Sequence, residues 1–329
     1  MKIAINGMGR IGRAALKIIN ETPGLEVVAV NDLVSAENIA YLLKYDTVYG
    51  VYEKEVSSTE DTLIVDGKSI KFYSIRNPEE LPWKDNGVDV VIESTGVFTK
   101  SEDLDKHISA GAKTVVLSAP TKDTDMPTIV HGVNTSDGGV NAFSCASCTT
   151  NNISPIMEIL GRRIGVKKAI MTTIHAYTAS QGMVDSPSKK NFRLGRAGAA
   201  NIIPTTTGAA IATTLVIPEL EKKFDGVAVR VPIPVGSLSD MTLVLEREVS
   251  VAEVNAILKE EAASARYKEV LSVTNDPIVS SDIVKSPYAS TVDLSMTKVV
   301  DGDLLKIMTW YDNEWGFTNQ MVREVVKLG

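Results

Sequence analysis

Residues 2–20 read KIAINGMGRIGRAALKIIN and decide the fold of the first half of the chain. A short apolar run at 2–6 predicts a buried strand, and the spacing of apolar residues in 11–20 predicts a helix. Between them lies a Gly-x-Gly-x-x-Gly pattern formed by Gly7, Gly9 and Gly12. In such a unit the first glycine permits a tight turn, the second a close approach of ligand to backbone, and the third close packing of helix on strand. The stretch therefore predicts a strand–turn–helix unit whose helix N-terminus can receive a phosphate.

Further apolar, β-branched runs follow this unit at 25–31, 88–95, 113–120 and 128–134. Nearly continuous apolar strands that alternate with helical patterns are typical of a parallel sheet covered on both faces. The first half is thus predicted to be an α/β domain with a Rossmann-type, doubly wound parallel sheet.

Asp32 ends the second predicted strand and lies 20 residues after Gly12. A carboxylate at this place can accept hydrogen bonds from the ribose hydroxyls of an adenosine, and it repels a 2′-phosphate. The cofactor predicted for this domain is therefore NAD rather than NADP.

The pattern changes near residue 148. A helical pattern at 150–165 is followed by long strand-like runs at 167–178, 226–249 and 290–312, with an amphipathic helix at 251–265. This order predicts a second, α+β catalytic domain built on a mostly antiparallel sheet. We expect an NAD-binding domain at 1–147, a catalytic domain at 148–312, and a C-terminal helix at 313–329 that packs back on the first domain. Pro155 either starts the helix of the second domain or kinks one already begun.

Composition narrows the classes of function. The net charge of −7 argues against general nucleic-acid binding, and no apolar run is long enough to span a membrane. Two cysteines and three histidines do not supply the spacing of a structural metal site, so no metal is expected. The N-terminus lacks the features of a secretion signal, and a cytoplasmic location is expected.

The two cysteines lie in SCASCTTNN, residues 144–152. Cys148 falls where a strand-like run meets a helix, and a thiol at a helix N-terminus has a lowered pKa. Cys145 falls inside the strand and is expected to be packed and protonated. Of the histidines, His107 is expected at a charged helix end, where it is either solvated or favoured by the dipole of the helix C-terminus, and His131 is expected in a strand. His175, in the strand TTIHAYT, is the best candidate base, although a purely structural histidine is an equal alternative.

Several motifs together resemble the phosphorylating glyceraldehyde-3-phosphate dehydrogenase family. They are INGMGRIGR, VAVNDL, SCTTN, TTIHAYT, NIIPTTTGAA, VRVP and WYDNEWG, and they run in family order from residue 2 to residue 319. The resemblance implies oxidation of glyceraldehyde 3-phosphate with NAD and inorganic phosphate to 1,3-bisphosphoglycerate. It also implies that Cys148 is the nucleophile, passing through a thiohemiacetal and a thioester, and that His175 is its base.

The resemblance also implies the binding residues. Those that match family contacts to NAD, together with the glycine pattern, are Gly7, Gly9, Arg10, Ile11, Gly12, Asp32, Arg76, Ser118 and Asn313. Those that match the site of the attacking phosphate are Ser147, Thr149, Thr207 and Gly208, and those for the substrate's own phosphate are Thr178 and Arg230. The polar loop at 180–201 corresponds to the family's S-shaped interface loop, which implies a homotetramer.

The sequence departs from the family pattern at a few places. Met8 replaces a usual Phe, Cys145 stands where Asn is usual, and Asn152 stands where many members have a second cysteine. Three other functions stay open. They are an erythrose-4-phosphate dehydrogenase, an NADPH-linked semialdehyde dehydrogenase, against which Asp32 argues, and a non-catalytic thiol sensor that uses Cys145 and Cys148.

Overall fold

The computed structural model describes residues 1–123, 125–135, 139–188 and 191–329. The chain divides into two compact units. We call them the N-terminal unit, which comprises Met1–Ile129, Thr135–Ala146 and Met321–Gly329, and the central unit, which comprises Val130–Asn134 and Ser147–Gln320. The domain boundaries expected from the sequence, 1–147 and 148–312, stay a prediction.

The N-terminal unit is built on one large sheet. Its strands are β1 Lys2–Asn6, β2 Glu26–Asn31, β3 Tyr45–Asp46, β4 Gly50–Val51, β5 Val56–Ser58, β6 Thr62–Val65, β7 Lys68–Tyr73, β8 Val90–Glu93, β9 Thr114–Leu117 and β10 Ala142–Ser144. Its helices are α1 Arg10–Asn20, α2 Ala36–Lys44 and α3 Ser101–Ser109. The sheet order is β10-β9-β8-β1-β2-β7-β6-β5, and β3 pairs with β4 separately.

The pairs from β10 to β7 are parallel, and only β6 and β5 are added antiparallel. The predicted parallel Rossmann-type sheet is confirmed. The carboxyl ends of β8, β1 and β2 lie side by side, where ligands bind in sheets of this kind.

One predicted strand of this half was wrong. The run 128–134 forms a turn, and only Thr128 makes a bridge, to Ser144. The Asn134 side chain accepts the Val130 N–H at 2.8 Å, and Gly132 has a φ of 78°. These local interactions compete with strand pairing, so His131 lies in a turn.

The central unit contains a seven-strand mixed sheet with one extra strand. Its strands are β11 Val166–Ala176, β12 Ile203–Thr206, β13 Phe224–Val231, β14 Ser237–Leu245, β15 Leu271–Thr274, β16 Ser290–Asp293, β17 Lys298–Val300 and β18 Leu304–Tyr311. Its helices are α4 Cys148–Arg163, α5 Ala209–Val216 and α6 Val251–Ala263, and α7 Trp315–Val326 follows β18.

The order of this sheet is β12-β13-β11-β14-β18-β16-β15, with β17 beside β18. All pairs are antiparallel except β11 with β13 and β15 with β16. The predicted mostly antiparallel sheet is confirmed. The long run at 226–249 is two strands rather than one, because Pro232 and Pro234 lack a backbone donor and Gly236 adopts a φ of 94°.

Helix α4 lies in the hydrophobic core of the central unit. Ile153, Ile156 and Leu160 are fully buried in one cluster with Met241 of β14 and Ile307 of β18. Since α4 begins at Cys148, Pro155 lies inside the helix rather than at its start. This packing anchors α4 against the sheet of the central unit.

Candidate active site and cofactor pocket

The glycine pattern forms a tightly packed turn after β1. Gly7 has a φ of 94°, and a Cβ there would lie 2.7 Å from the Thr95 nitrogen. A Cβ on Gly12 would lie 2.0 Å from the Gly7 carbonyl oxygen, whereas one on Gly9 would meet no atom within 4 Å. Side chains are thus excluded at the first and third positions by packing. Open space next to Gly9 lets a ligand approach the backbone.

A cavity of about 300 Å³ opens beside this turn, at the carboxyl ends of the central strands. Its lining residues are Asn6, Gly7, Gly9, Asn31, Asp32, Leu33, Ile75, Arg76, Ser94, Thr95, Val97 and Phe98. The walls combine backbone, small polar groups and a few apolar side chains, which suits a nucleoside.

Asp32 occupies the cavity wall in the expected place. Its Oδ2 accepts the Met8 N–H at 2.7 Å and its Oδ1 accepts the Val34 N–H at 3.0 Å. Each carboxylate oxygen can accept a second hydrogen bond, so two acceptor positions are open to ribose hydroxyls. The glycine turn and this carboxylate together fit the adenosine half of NAD.

The other residues of this unit that are predicted to bind the cofactor lie in α1, on the cavity wall and after β9. Arg10 forms an ion pair with Asp46 at 2.6 Å, and Arg76 lines the cavity. Ile11 lies in α1, and the Ser118 N–H donates to the Glu93 carbonyl at 3.0 Å just after β9.

Asn313 lies in the central unit, between β18 and α7. Its Oδ1 accepts hydrogen bonds from the Gly236 N–H at 3.1 Å and the Ser237 hydroxyl at 3.0 Å. These bonds fix the orientation of the amide, so that its NH₂ group is presented as a donor.

Cys148 is the first residue of α4. The helix is capped by Ser147, whose Oγ accepts the Thr150 N–H at 3.0 Å. Cys148 is partly exposed as a residue, and its Sγ lies 3.4 Å from His175 Nε2. The structure therefore brings together the two residues predicted as nucleophile and base.

His175 stands beside Arg230 because the two residues are paired in register on the parallel strands β11 and β13. Arg230 Nη1 lies 2.6 Å from His175 Nδ1 and 3.0 Å from the Ala176 carbonyl oxygen. A guanidinium only donates, so Nδ1 accepts and the ring proton lies on Nε2, towards Cys148. The Ala176 oxygen, 2.7 Å from Nδ1, is an alternative acceptor for a proton on that nitrogen.

The pair is uncharged in this arrangement. Burial raises the pKa of the Cys148 thiol, and the opposing effects of Arg230 and of a hydrogen bond from Thr149 are smaller. Burial, followed by the charge of Arg230, lowers the pKa of His175 to about 3. The predicted lowering of the thiol pKa was wrong for this state, because burial outweighs the helix dipole.

Tyr311 is a member of this site that the sequence analysis missed. Its buried hydroxyl bonds to Thr149 Oγ1 at 2.9 Å and to Thr173 Oγ1 at 2.8 Å, and its ring packs edge-on against His175 with centroids 5.9 Å apart. It links the helix that carries Cys148 to the strand that carries His175. The alternation of β18 predicts that Tyr311 is buried, but not which residues it contacts.

Most of the predicted phosphate-binding side chains already take part in hydrogen bonds within the protein. Ser147 caps α4, and the Thr149 hydroxyl is buried against Tyr311. Thr178 Oγ1 lies 2.9 Å from Ser180 Oγ.

Thr207 Oγ1 accepts the Ala209 N–H at 3.2 Å, and Gly208 is the N-cap of α5. Arg230 Nε is buried and has no partner among the described residues. Such an unpaired donor is costly unless a ligand satisfies it.

Cys145 and His107 belong to the N-terminal unit. Cys145 is buried, and burial, with a smaller effect from Glu324, raises its thiol pKa well above the usual range, so the prediction of a packed, protonated thiol is confirmed. For His107 the solvated alternative was wrong, since its side chain is fully buried, but the residue does lie in the last turn of α3.

The described part of the chain lacks two kinds of feature. No cluster of three or more metal-ligating side chains occurs there, and no helix there has the length and apolar character needed to cross a membrane.

Comparison with known proteins gives consistent matches over the whole chain. The family model described as glyceraldehyde 3-phosphate dehydrogenase, NAD binding domain, matches residues 1–101, and that of the C-terminal domain matches residues 147–313. The chain is 50% identical to glyceraldehyde-3-phosphate dehydrogenase of Streptomyces coelicolor, with 100% of this chain and 98% of that protein covered. It is 48% identical to those of Clostridium pasteurianum and Geobacillus stearothermophilus, with 98% of this chain and 96% of each relative covered.

Proposed function

The chain belongs to the glyceraldehyde-3-phosphate dehydrogenase family, and we propose on that basis that it converts glyceraldehyde 3-phosphate, NAD and inorganic phosphate to 1,3-bisphosphoglycerate and NADH. It is an NAD-dependent oxidoreductase that acts on an aldehyde. The observation that carries the proposal is the 3.4 Å contact between Cys148 Sγ and His175 Nε2, with Arg230 beside the histidine.

The reaction begins when Arg230 turns to a substrate phosphate. Its buried Nε has no partner among the described residues, and a guanidinium pairs well with phosphate oxygens. Once Arg230 leaves His175, Nδ1 can carry the proton and donate it to the Ala176 carbonyl oxygen at 2.7 Å. Nε2 then has a free lone pair that faces the thiol, so His175 can act as a base.

Cys148 then loses its proton to His175 and adds to the aldehyde carbon, which forms a thiohemiacetal. His175 returns this proton to the aldehyde oxygen as the thiohemiacetal forms, and it is then free to take the hydroxyl proton when the hydride is lost. NAD, when bound, supplies the acceptor for the hydride whose loss turns the thiohemiacetal into a thioester. Ser147, Thr149, Thr207 and Gly208 are the residues we assign to the inorganic phosphate that cleaves the thioester, with Thr178 and Arg230 assigned to the substrate phosphate.

The cofactor residues are proposed as a set with a common role. Those that would hold NAD are Gly7, Gly9, Arg10, Ile11, Gly12, Asp32, Arg76, Ser118 and Asn313. The close packing at Gly7 and Gly12 and the acceptors of Asp32 support the adenosine part. The fixed amide of Asn313 supports a contact to the nicotinamide carboxamide.

We also propose that the protein is a cytoplasmic homotetramer. In and beside the polar loop, the side chains of Met183, Val184, Phe192 and Ile202 are 70–88% exposed. Exposed large apolar side chains in one segment favour an interface. Light scattering should give the mass of four chains, and a monomer at micromolar concentration would overturn the assignment.

The activity is tested by following NADH formation from glyceraldehyde 3-phosphate, with and without phosphate. We expect turnover only with phosphate, loss of nearly all activity in Cys148→Ser, and retained activity in the matched control Cys145→Ser. Equal turnover without phosphate would favour erythrose-4-phosphate dehydrogenase. Full activity in Cys148→Ser would overturn the assigned nucleophile.

A thiol sensor would give another result. It would show no turnover, but a mild oxidant would take up two hydrogen atoms' worth of protons and electrons as Cys145 and Cys148 form a disulfide, and the mass would fall by two hydrogen atoms.

A further inference from the structure

A chain of buried polar side chains lies beneath the cofactor cavity. Glu93, the last residue of β8, and His107 of α3 are both 0% exposed, and so is Trp83. None of the three lines the cavity, and none has a role in the proposed mechanism. A fully buried carboxylate is energetically expensive and calls for an explanation.

The hydrogen bonds define the charge of this group. Trp83 Nε1–H donates to His107 Nδ1 at 2.9 Å, so the neutral ring carries its proton on Nε2. That N–H faces Glu93 Oε2 at 3.1 Å, which also accepts from Asn6 Nδ2 at 2.6 Å. Glu93 Oε1 accepts both the backbone N–H, at 2.8 Å, and the hydroxyl of Thr95. Four donors point at the two oxygens, so Glu93 is a carboxylate anion without a proton of its own.

This anion holds two parts of the cavity wall in place. On one side Thr95 is fixed by two bonds, and Gly7 packs so closely on it that a Cβ would lie 2.7 Å from the Thr95 nitrogen. On the other side Asn6 Oδ1 accepts from Asn31 Nδ2 at 2.7 Å, and Asn31 Oδ1 accepts the Ile75 N–H at 2.9 Å. The ends of β8, β1 and β2 are thereby tied together around one charge.

We propose that Glu93 is a positioning residue for the bound dinucleotide. It sets the separation of Thr95 and Asn6, and through them the shape of the adenosine pocket, without touching the ligand. His107 and Trp83 support this role. The Trp83 indole N–H fixes the tautomer of His107, so that the His107 Nε2–H donates to Glu93. The inference rests on the proposed function only in taking the cavity as the NAD site.

A glutamine at position 93 cannot satisfy the same donors. Its NH₂ group would face the Thr95 N–H in one orientation, and the Asn6 NH₂ and His107 Nε2–H in the other. In either orientation the NH₂ group of the glutamine faces another buried N–H donor. The part of the cavity wall that carries this donor must then move. An altered wall weakens ligand binding even if the unit stays folded.

The test is calorimetric binding of ADP-ribose and NAD to the full chain, which needs no turnover. We expect Glu93→Gln to bind both ligands about tenfold more weakly, the size expected for one lost buried hydrogen bond to a charged group. Glu261→Gln is the matched control. Glu261 is a buried carboxylate of the central unit, paired with Arg163 at 2.7 Å, and its loss should lower the thermal midpoint and leave the ADP-ribose Kd unchanged.

Trp83→Phe provides a second variant that keeps a buried ring. It removes the donor that fixes the tautomer of His107, and it should also weaken ADP-ribose binding. ADP-ribose affinity within twofold of the parent protein in either folded variant overturns the inference. If the parent protein itself fails to bind ADP-ribose, the cofactor assignment falls, and the inference falls with it.

Discussion

Removing the hydroxyl of Tyr311 tests whether it joins the nucleophile helix to the base strand. In Tyr311→Phe the buried hydroxyls of Thr149 and Thr173 both lose a partner, at 2.9 and 2.8 Å. With about 1 kcal/mol for each net hydrogen bond, the loss of stability is roughly 2 kcal/mol. For a unit of this size the thermal midpoint should fall by about 4–8 °C.

Activity should change less than stability in this variant. The phenylalanine ring keeps the edge contact with His175, so kcat should stay within about threefold of the parent value, under 1 kcal/mol of barrier. A large loss of kcat with an unchanged melting temperature would mean that the hydroxyl acts in the chemistry instead.

A double-mutant cycle with Thr173→Val isolates the bond itself. Once Tyr311 has lost its hydroxyl, replacing the unpaired Thr173 hydroxyl with an apolar group of similar shape should cost little. We expect a coupling energy of about 1 kcal/mol, measured from urea unfolding of the four proteins. If the two losses add to within about 0.5 kcal/mol, the two hydroxyls are not coupled and the reasoning is refuted.

Two other substitutions are informative. Asp32→Asn keeps an acceptor for the Met8 N–H but removes the charge that repels a 2′-phosphate. The ratio of kcat/KM for NAD to kcat/KM for NADP should therefore fall by about tenfold. An unchanged ratio would show that Asp32 does not select the cofactor. The pKa of His175 is about 3 in the folded chain and 6.5 ordinarily. Between pH 6.5 and pH 3 only the unfolded chain therefore binds the proton. The free energy of unfolding falls as the pH is lowered through this range. The melting temperature of His175→Gln should therefore decline less from pH 6.5 to 4.5 than that of the parent protein, and parallel curves would contradict this.

Local patterns in the sequence were enough to predict those parts of the site that come from one continuous segment of the chain. The turn at Gly7 and the start of a helix near Cys148 each follow from residues within one short segment. Asp32 could be placed because strand length and the glycine pattern are both local. These features depend on backbone geometry, which neighbouring residues largely determine.

Contacts across the fold could not be predicted in the same way. The neighbours of His107 depend on how α3 packs. The charged residues around it in the sequence suggested a solvated ring, whereas the ring is buried in the structure. The direction of the Cys148 pKa was wrong for a related reason. The helix dipole is a local property, whereas burial depends on everything that surrounds the thiol.

The register of β11 and β13 has an evolutionary consequence. His175 and Arg230 face each other through parallel pairing, and parallel neighbours need a long connection, here residues 177–223. That connection carries Thr178, Thr207 and Gly208, which we assign to phosphates. Insertions and substitutions there can alter which anions bind without changing the strand register. The pairing of His175 with Arg230 can thus stay fixed while the phosphate contacts made by the connection change.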